Sequence, residues 1–155
     1  MFVDVVNVTS AADMADVVKS KAAEQDIIIM TAAVADFCPS HPADEKIKKN
    51  DSSYESVIEL ERTEDILSYL GAHKANGQLI CGFSMETQNM LENSKAKLAK
   101  KNADMIVANN LKVAGAGFGT DTNVVTLITA DDCTELEIMD KSCVAARIMD
   151  RLLQM

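Results

Sequence analysis

Two rhythms of apolar and polar positions take turns along this chain. Short apolar runs at residues 2–8, 26–30 (DIIIM), 57–60 (VIEL), 79–83 (LICGF) and 104–108 (DMIVA) predict strands. Between them the spacing becomes helical. It predicts helices over about 11–24 behind a Ser10 cap, over 64–74 behind a Thr63 cap, and over about 88–101. In the second of these Ile66, Leu67 and Leu70 share one face. The last third changes character. Residues 123–129 and 134–139 read as two strands joined by Ala130-Asp131-Asp132-Cys133, a hairpin pattern, before a closing helix over 141–153 with Val144, Ala145, Ile148 and Leu152 on its apolar side. Alternating β and α elements predict an α/β fold: a mostly parallel sheet covered by helices, with the late antiparallel hairpin at one edge.

That architecture bears on where a ligand would sit. Ligands of open α/β sheets bind beyond the carboxyl ends of the strands. Three segments follow apolar strands directly and so converge on one rim: TAAVADF (31–37), GFSMET (82–87) and ANN (108–110). The first is made of small residues up to Asp36, and ten positions later comes the basic cluster Lys46-Ile47-Lys48-Lys49. These lysines stand out in a chain with 24 acidic and 15 basic side chains. A small-residue loop, a carboxylate and clustered ammonium groups suit a polyphosphate with its metal ion. They fit equally a solvated turn followed by a charged edge strand.

Bulk properties narrow the classes. A length of 155 residues predicts one domain, 1–155, large enough to bury about two-thirds of its unfolded surface. A net charge of −9 argues against nucleic-acid binding, which needs a basic surface. Cys38, Cys81, Cys133 and Cys143 are scattered, with no CxxC pair and no histidine at metal-site spacing. They read as buried or half-buried free thiols in a reducing cytosol. The first residues carry neither a basic leader nor a long apolar stretch, so no secretory or membrane segment is expected.

Other motifs weigh less. Gly115-Ala-Gly-Phe-Gly-Thr120 is not GxGxxG and follows no strand directly, so it reads as a glycine-rich turn; no Walker A sequence occurs. Lys97 and Lys101, four apart, lie on one helix face that is either solvated or turned toward the rim. Glu86 and Asp65 are possible acids, or simply carboxylates at helix starts. His41 and His73 are isolated and read as surface residues.

The segments AAVADF…EKIKK, LERTEDIL, GFSMET…KAKLAKKNADMIVANN and GAGFGTDTN, in this order and spacing, resemble the phosphopantothenoylcysteine synthetase domain of bacterial coenzyme A biosynthesis. In many bacteria that domain is the C-terminal half of a bifunctional protein whose other half is a flavin-dependent decarboxylase. The resemblance implies a Rossmann-like fold and a CTP-dependent ligase of the cytoplasm. The carboxylate of 4′-phosphopantothenate attacks the α-phosphate of CTP to give an acyl-cytidylate, and the amine of cysteine then displaces CMP. Carried over position by position, Met30, Thr31 and Ala32 would contact the nucleotide. Asp36 would sit beside the ribose or bind Mg2+, and Lys46 would act on the nucleotide or the activated acyl group. Glu64, Asp65, Ile66, Leu67, Phe83, Lys97 and Lys101 complete the implied set. Residues 50–55 would form a lid that keeps water from the mixed anhydride.

Two departures accompany the resemblance. Glu64 stands where the family commonly has proline. The family also begins with a further βαβ unit, including an asparagine linked to the cysteine step, which this chain lacks. The expectation is therefore a domain that folds and binds cytidine nucleotide weakly without completing catalysis alone, and that forms homodimers through the late hairpin as the family does. The rival expectation is a non-catalytic nucleotide-binding or assembly module that keeps the fold.

Overall fold

The computed structural model describes residues 2–43, 45–46, 57–86, 89–110 and 119–155. The elements in order are α1 (Ala11–Ala22), β1 (Ile27–Met30), β2 (Phe37–Pro39), β3 (Leu60–Arg62), α2 (Ile66–Ala72), β4 (Leu79–Glu86), α3 (Met90–Lys101), β5 (Met105–Asn110), β6 (Thr122–Asn123), β7 (Val125–Ile128), β8 (Cys133–Glu135), β9 (Met139–Asp140) and α4 (Lys141–Leu152). The main sheet has the order β1-β4-β5-β7-β8. The first three strands run parallel, with Met30 opposite Gly82 and Gly82 opposite Ile106. β7 and β8 are antiparallel and form the expected edge hairpin, its turn closed by Thr129 N–H donating to Asp132 O at 2.9 Å.

The period-2 alternation of strand side chains divides the core between two faces. Ile28, Met30 and Ile80 pack with Ala15, Ile66 and Leu70 beneath α1 and α2. Ile27, Ile29, Cys81, Met105, Val107 and Leu127 face the opposite way, against Val144, Ile148 and Leu152 of α4. Helices on both faces explain why the central strands read as unbroken apolar runs. Burial also pushes the Cys81 thiol up to about 12, with a smaller contribution from the Asp104 carboxylate.

Helix ends follow local chemistry. Ser10 caps α1 in a reciprocal box: its Oγ accepts from Asp13 N–H at 3.0 Å and Asp13 Oδ2 accepts from Ser10 N–H at 3.0 Å. Bonds donated by Thr9, its hydroxyl first, and by Ser10 hold the Asp13 carboxyl below its ordinary value. α2 differs from expectation. Asp65, not Thr63, caps it, accepting from Ser68 N–H at 2.9 Å, so the helix starts at Ile66. Thr63 instead donates its hydroxyl to Ala35 O.

Two strand expectations change. Residues 2–8 form no strand; Val3 and Val5 are 66% and 74% exposed, because no described strand pairs with them. The strand placed at 57–60 begins at Leu60 and pairs antiparallel with the unanticipated β2 in a small two-stranded ladder. Both its strands are largely exposed, so neither carries a periodic apolar signal. The cysteines are all free, but Cys133 and Cys143 are exposed rather than buried. Among the described residues no helix is long and apolar enough to cross a membrane.

Candidate functional site

Beyond the carboxyl ends of β1 and β4 lies a cleft of about 230 Å³. It is lined by Met30, Ala32, Val34, Ala35 and Asp36 after β1, by Thr63 to Leu67 before and within α2, by Phe83 of β4, and by Lys97 and Lys101 of α3. Two loops from distant parts of the chain are bolted together to make it. Thr63 N–H donates to Asp36 O at 3.0 Å, beside the bond from its hydroxyl to Ala35 O. The ladder of β2 and β3 continues this attachment outward, Phe37 lying opposite Arg62. Gly82 matters on the floor: a Cβ there would lie 2.6 Å from Leu67 Cδ2. Its bare backbone leaves Leu67 room to line the cleft.

Two of the cleft's carboxylates are paired with lysines. Lys101 Nζ donates to Asp65 and, at 2.9 Å, to Ser68 Oγ. Partial burial works to raise the Asp65 carboxyl, but the bonds from Lys101 and Ser68 outweigh it and leave it below its ordinary value. Glu64 accepts from Lys19 Nζ of α1 at 2.7 Å. That bond raises Lys19 above the ordinary lysine value, and the ammonium also lies 5.5 Å from the centre of the Tyr69 ring. Lys97 Nζ donates to Phe83 O at 2.8 Å. Asp36 has no side-chain hydrogen bond or ion pair among the described residues.

Most of the expected set therefore meets in one place: Met30, Ala32, Asp36, Glu64, Asp65, Ile66, Leu67, Phe83, Lys97 and Lys101 all line the cleft. Thr31 and Lys46 do not; both are exposed outside it. Ala35 lines the cleft as part of the small-residue loop, and Val34 and Thr63 line it although their residue types carried no signal of a site. The third rim segment turns elsewhere: Asn109 Oδ1 accepts from Asn123 Nδ2 at 3.0 Å, tying β5 to the antiparallel side of the sheet. Lys48, Lys49, the lid at 50–55 and Gly115 to Phe118 lie outside the described residues.

A mostly parallel, helix-covered sheet with a polar cleft beyond its strand ends defines an α/β protein of the kind that binds ligands at that rim. The chain belongs to the DNA/pantothenate metabolism flavoprotein C-terminal domain family, whose profile matches residues 1–155. It is 47% identical over 146 residues to the coenzyme A biosynthesis bifunctional protein CoaBC of Bacillus subtilis, covering 94% of this chain and 35% of that protein. It is 44% identical over 152 residues to a cysteine/cysteine sulfinic acid decarboxylase from an unknown prokaryotic organism, covering 97% of this chain and 42% of the relative. The chain thus spans well under half of these relatives' length. Among solved structures, the C-terminal domain of a CoaBC protein superposes with a TM-score of 0.76 at 41% identity, covering 96% of this chain and 66% of that one. A DNA/pantothenate metabolism flavoprotein from Streptococcus pneumoniae, at 16% identity and a TM-score of 0.75, shares the fold.

Proposed function

We propose that this chain is the nucleotide-binding part of a CTP-dependent phosphopantothenate–cysteine ligase of coenzyme A biosynthesis. The observation that carries the reading is the cleft itself, which gathers Asp36, Asp65, Lys97 and Lys101 from three separate segments on one rim. In the reaction, a carboxylate oxygen of 4′-phosphopantothenate bonds to the α-phosphorus of CTP, and pyrophosphate leaves with the electron pair of the broken P–O bond. The amine of cysteine then attacks the acyl carbon of the acyl-cytidylate and sheds a proton, CMP departs, and the amide remains.

The residues suit the charge this chemistry creates. Attack at an α-phosphate concentrates negative charge, and a preorganised ammonium group in a part-buried cleft stabilises it more than water does. Asp36 would hold Mg2+: magnesium is commonly bound by one or two carboxylates together with substrate phosphates, and Asp36 is the cleft carboxylate without a lysine partner among the described residues. The cation, when bound, would spread the charge of the triphosphate. Met30 and Ala32 would place backbone groups against the nucleoside, and Lys46 would approach from the loop beyond Asp36. The full-length protein would be a cytoplasmic homodimer, paired through the β7–β8 hairpin, with a flavin-dependent decarboxylase domain on the same polypeptide.

The rival reading is a nucleotide-binding or assembly module without turnover, in which the cleft takes the nucleotide and no amide forms. Calorimetric titration and an amide-formation assay separate the two. CTP with magnesium is expected to bind more tightly than ATP with magnesium, and Lys46→Ala to weaken CTP by about tenfold, the order of one hydrogen bond to a charged group. Equal or preferential binding of ATP would remove the cytidylate reading. Amide formation from CTP, phosphopantothenate and cysteine by this chain would remove the second reading.

A further inference from the structure

Thr63 stands where a helix cap is expected and does something else. Asp65 caps α2, so the Thr63 hydroxyl is free of that task and donates to Ala35 O. The Thr63 N–H donates to Asp36 O at 3.0 Å. One residue thus grips two successive carbonyls of the loop after β1. The grip extends the ladder, in which Phe37 lies opposite Arg62, by one rung toward the cleft.

The consequence falls on Asp36. Ala35 O belongs to the peptide unit before the Asp36 Cα, and Asp36 O to the unit after it. Each unit is planar, so holding both restricts the φ and ψ of Asp36, the angles that aim its Cα–Cβ bond. The side chain supplies no anchor of its own: Asp36 is exposed, with no side-chain hydrogen bond or ion pair among the described residues. Thr63 is half-buried and leads into α2, whose Ile66 and Leu70 are buried in the core. A rigid element therefore sets the direction of an exposed carboxylate. Of the two bonds, only the one from the hydroxyl depends on the side chain, since any residue but proline keeps the backbone donor.

We infer that Thr63 is a positioning residue, aiming the Asp36 carboxylate into the cleft through its hydroxyl bond to Ala35 O. This rests on the nucleotide reading above and gives a part to a residue outside the set that the family resemblance implies.

The test is calorimetric titration with CTP plus magnesium of four variants: Thr63→Val, Thr63→Ser, Asp36→Ala, and Thr63→Val combined with Asp36→Ala. Valine matches the shape of threonine but has no donor. Thr63→Val should weaken CTP by about three- to tenfold, because a hydrogen bond can impose an orientation only up to its own net worth. Thr63→Ser restores the donor and should bind within about twofold of the wild type. Asp36→Ala should itself weaken CTP, and adding Thr63→Val should then cost nothing further, because the aimed group is gone. Ala35 is exposed, so water replaces the lost donor, and the unfolding midpoint of Thr63→Val should stay within about 4 °C of the wild type. Three results overturn the assignment and leave the nucleotide reading standing: wild-type affinity in Thr63→Val, a Thr63→Ser variant as weak as Thr63→Val, or a Thr63→Val loss that persists undiminished in the Asp36→Ala background. A wild-type chain that does not bind CTP with magnesium overturns both.

Discussion

Gly71→Ala lowers the stability of the chain by about 3 kcal/mol or more, at or beyond the upper end of ordinary overpacking. The reason lies in how closely two helices approach. A Cβ on Gly71 would fall 1.8 Å from the carbonyl oxygen of Lys101 and 2.8 Å from its carbonyl carbon. The obstacle is backbone, which cannot swing aside as a side-chain tip can. Asn102 Nδ2 donates to Gly71 O at 2.7 Å across the same crossing, so separation also breaks a hydrogen bond. The damage reaches the cleft, since Lys101 is the residue that meets Asp65. Urea unfolding is expected to show a lower midpoint at an unchanged slope. A Gly71→Ala midpoint equal to that of the wild type would mean that α2 and α3 do not cross this closely.

Asp104→Ala costs about 3 kcal/mol, because it removes an acceptor from two donors at once. Asp104 Oδ2 accepts from the backbone N–H of fully buried Ile80 at 2.7 Å, while Oδ1 accepts from Lys74 Nζ at 2.5 Å. The carboxylate thus extends the β4–β5 ladder by one bond and anchors the chain just past α2. Asp104→Asn keeps an acceptor for Ile80 and gives up the charge, so its loss should be less than half as large. Equal losses for Asn and Ala would place the stabilisation in the Lys74 ion pair instead. Asp104 lies just before β5, at the end of the sheet opposite the cleft.

The sequence reading succeeded where a run of residues reports its own burial, and failed where a partner decides. DIIIM, LICGF and DMIVA are apolar on both sides because helices cover both faces, and all three became parallel strands. Residues 2–8 carry the same pattern and form no strand: alternation marks a face that could be buried, whereas pairing requires a neighbour, and β1 has only β4 among the described residues. The exposed ladder of β2 and β3 was missed for the converse reason. Thr63 and Asp65 are both good capping residues two positions apart, and only the reach of Asp65 to Ser68 N–H decides between them. At the cleft, the strand-end rule located the rim and the resemblance named most of its lining. It could not show that Asn109 turns toward Asn123. Nor could an i, i+4 spacing reveal that one lysine meets a carboxylate and the other a carbonyl, because that depends on what neighbouring elements bring.

The central claim is that this cleft takes a nucleotide, and amide chemical shifts of the 15N-labelled chain during addition of CTP and magnesium test it most directly. The account predicts that the largest shifts fall on Met30 to Asp36, Thr63 to Leu67, Phe83 and the Lys97 to Lys101 turn. Shifts centred instead on Lys74 to Leu79 and Asp104, at the far end of the strands, would contradict it.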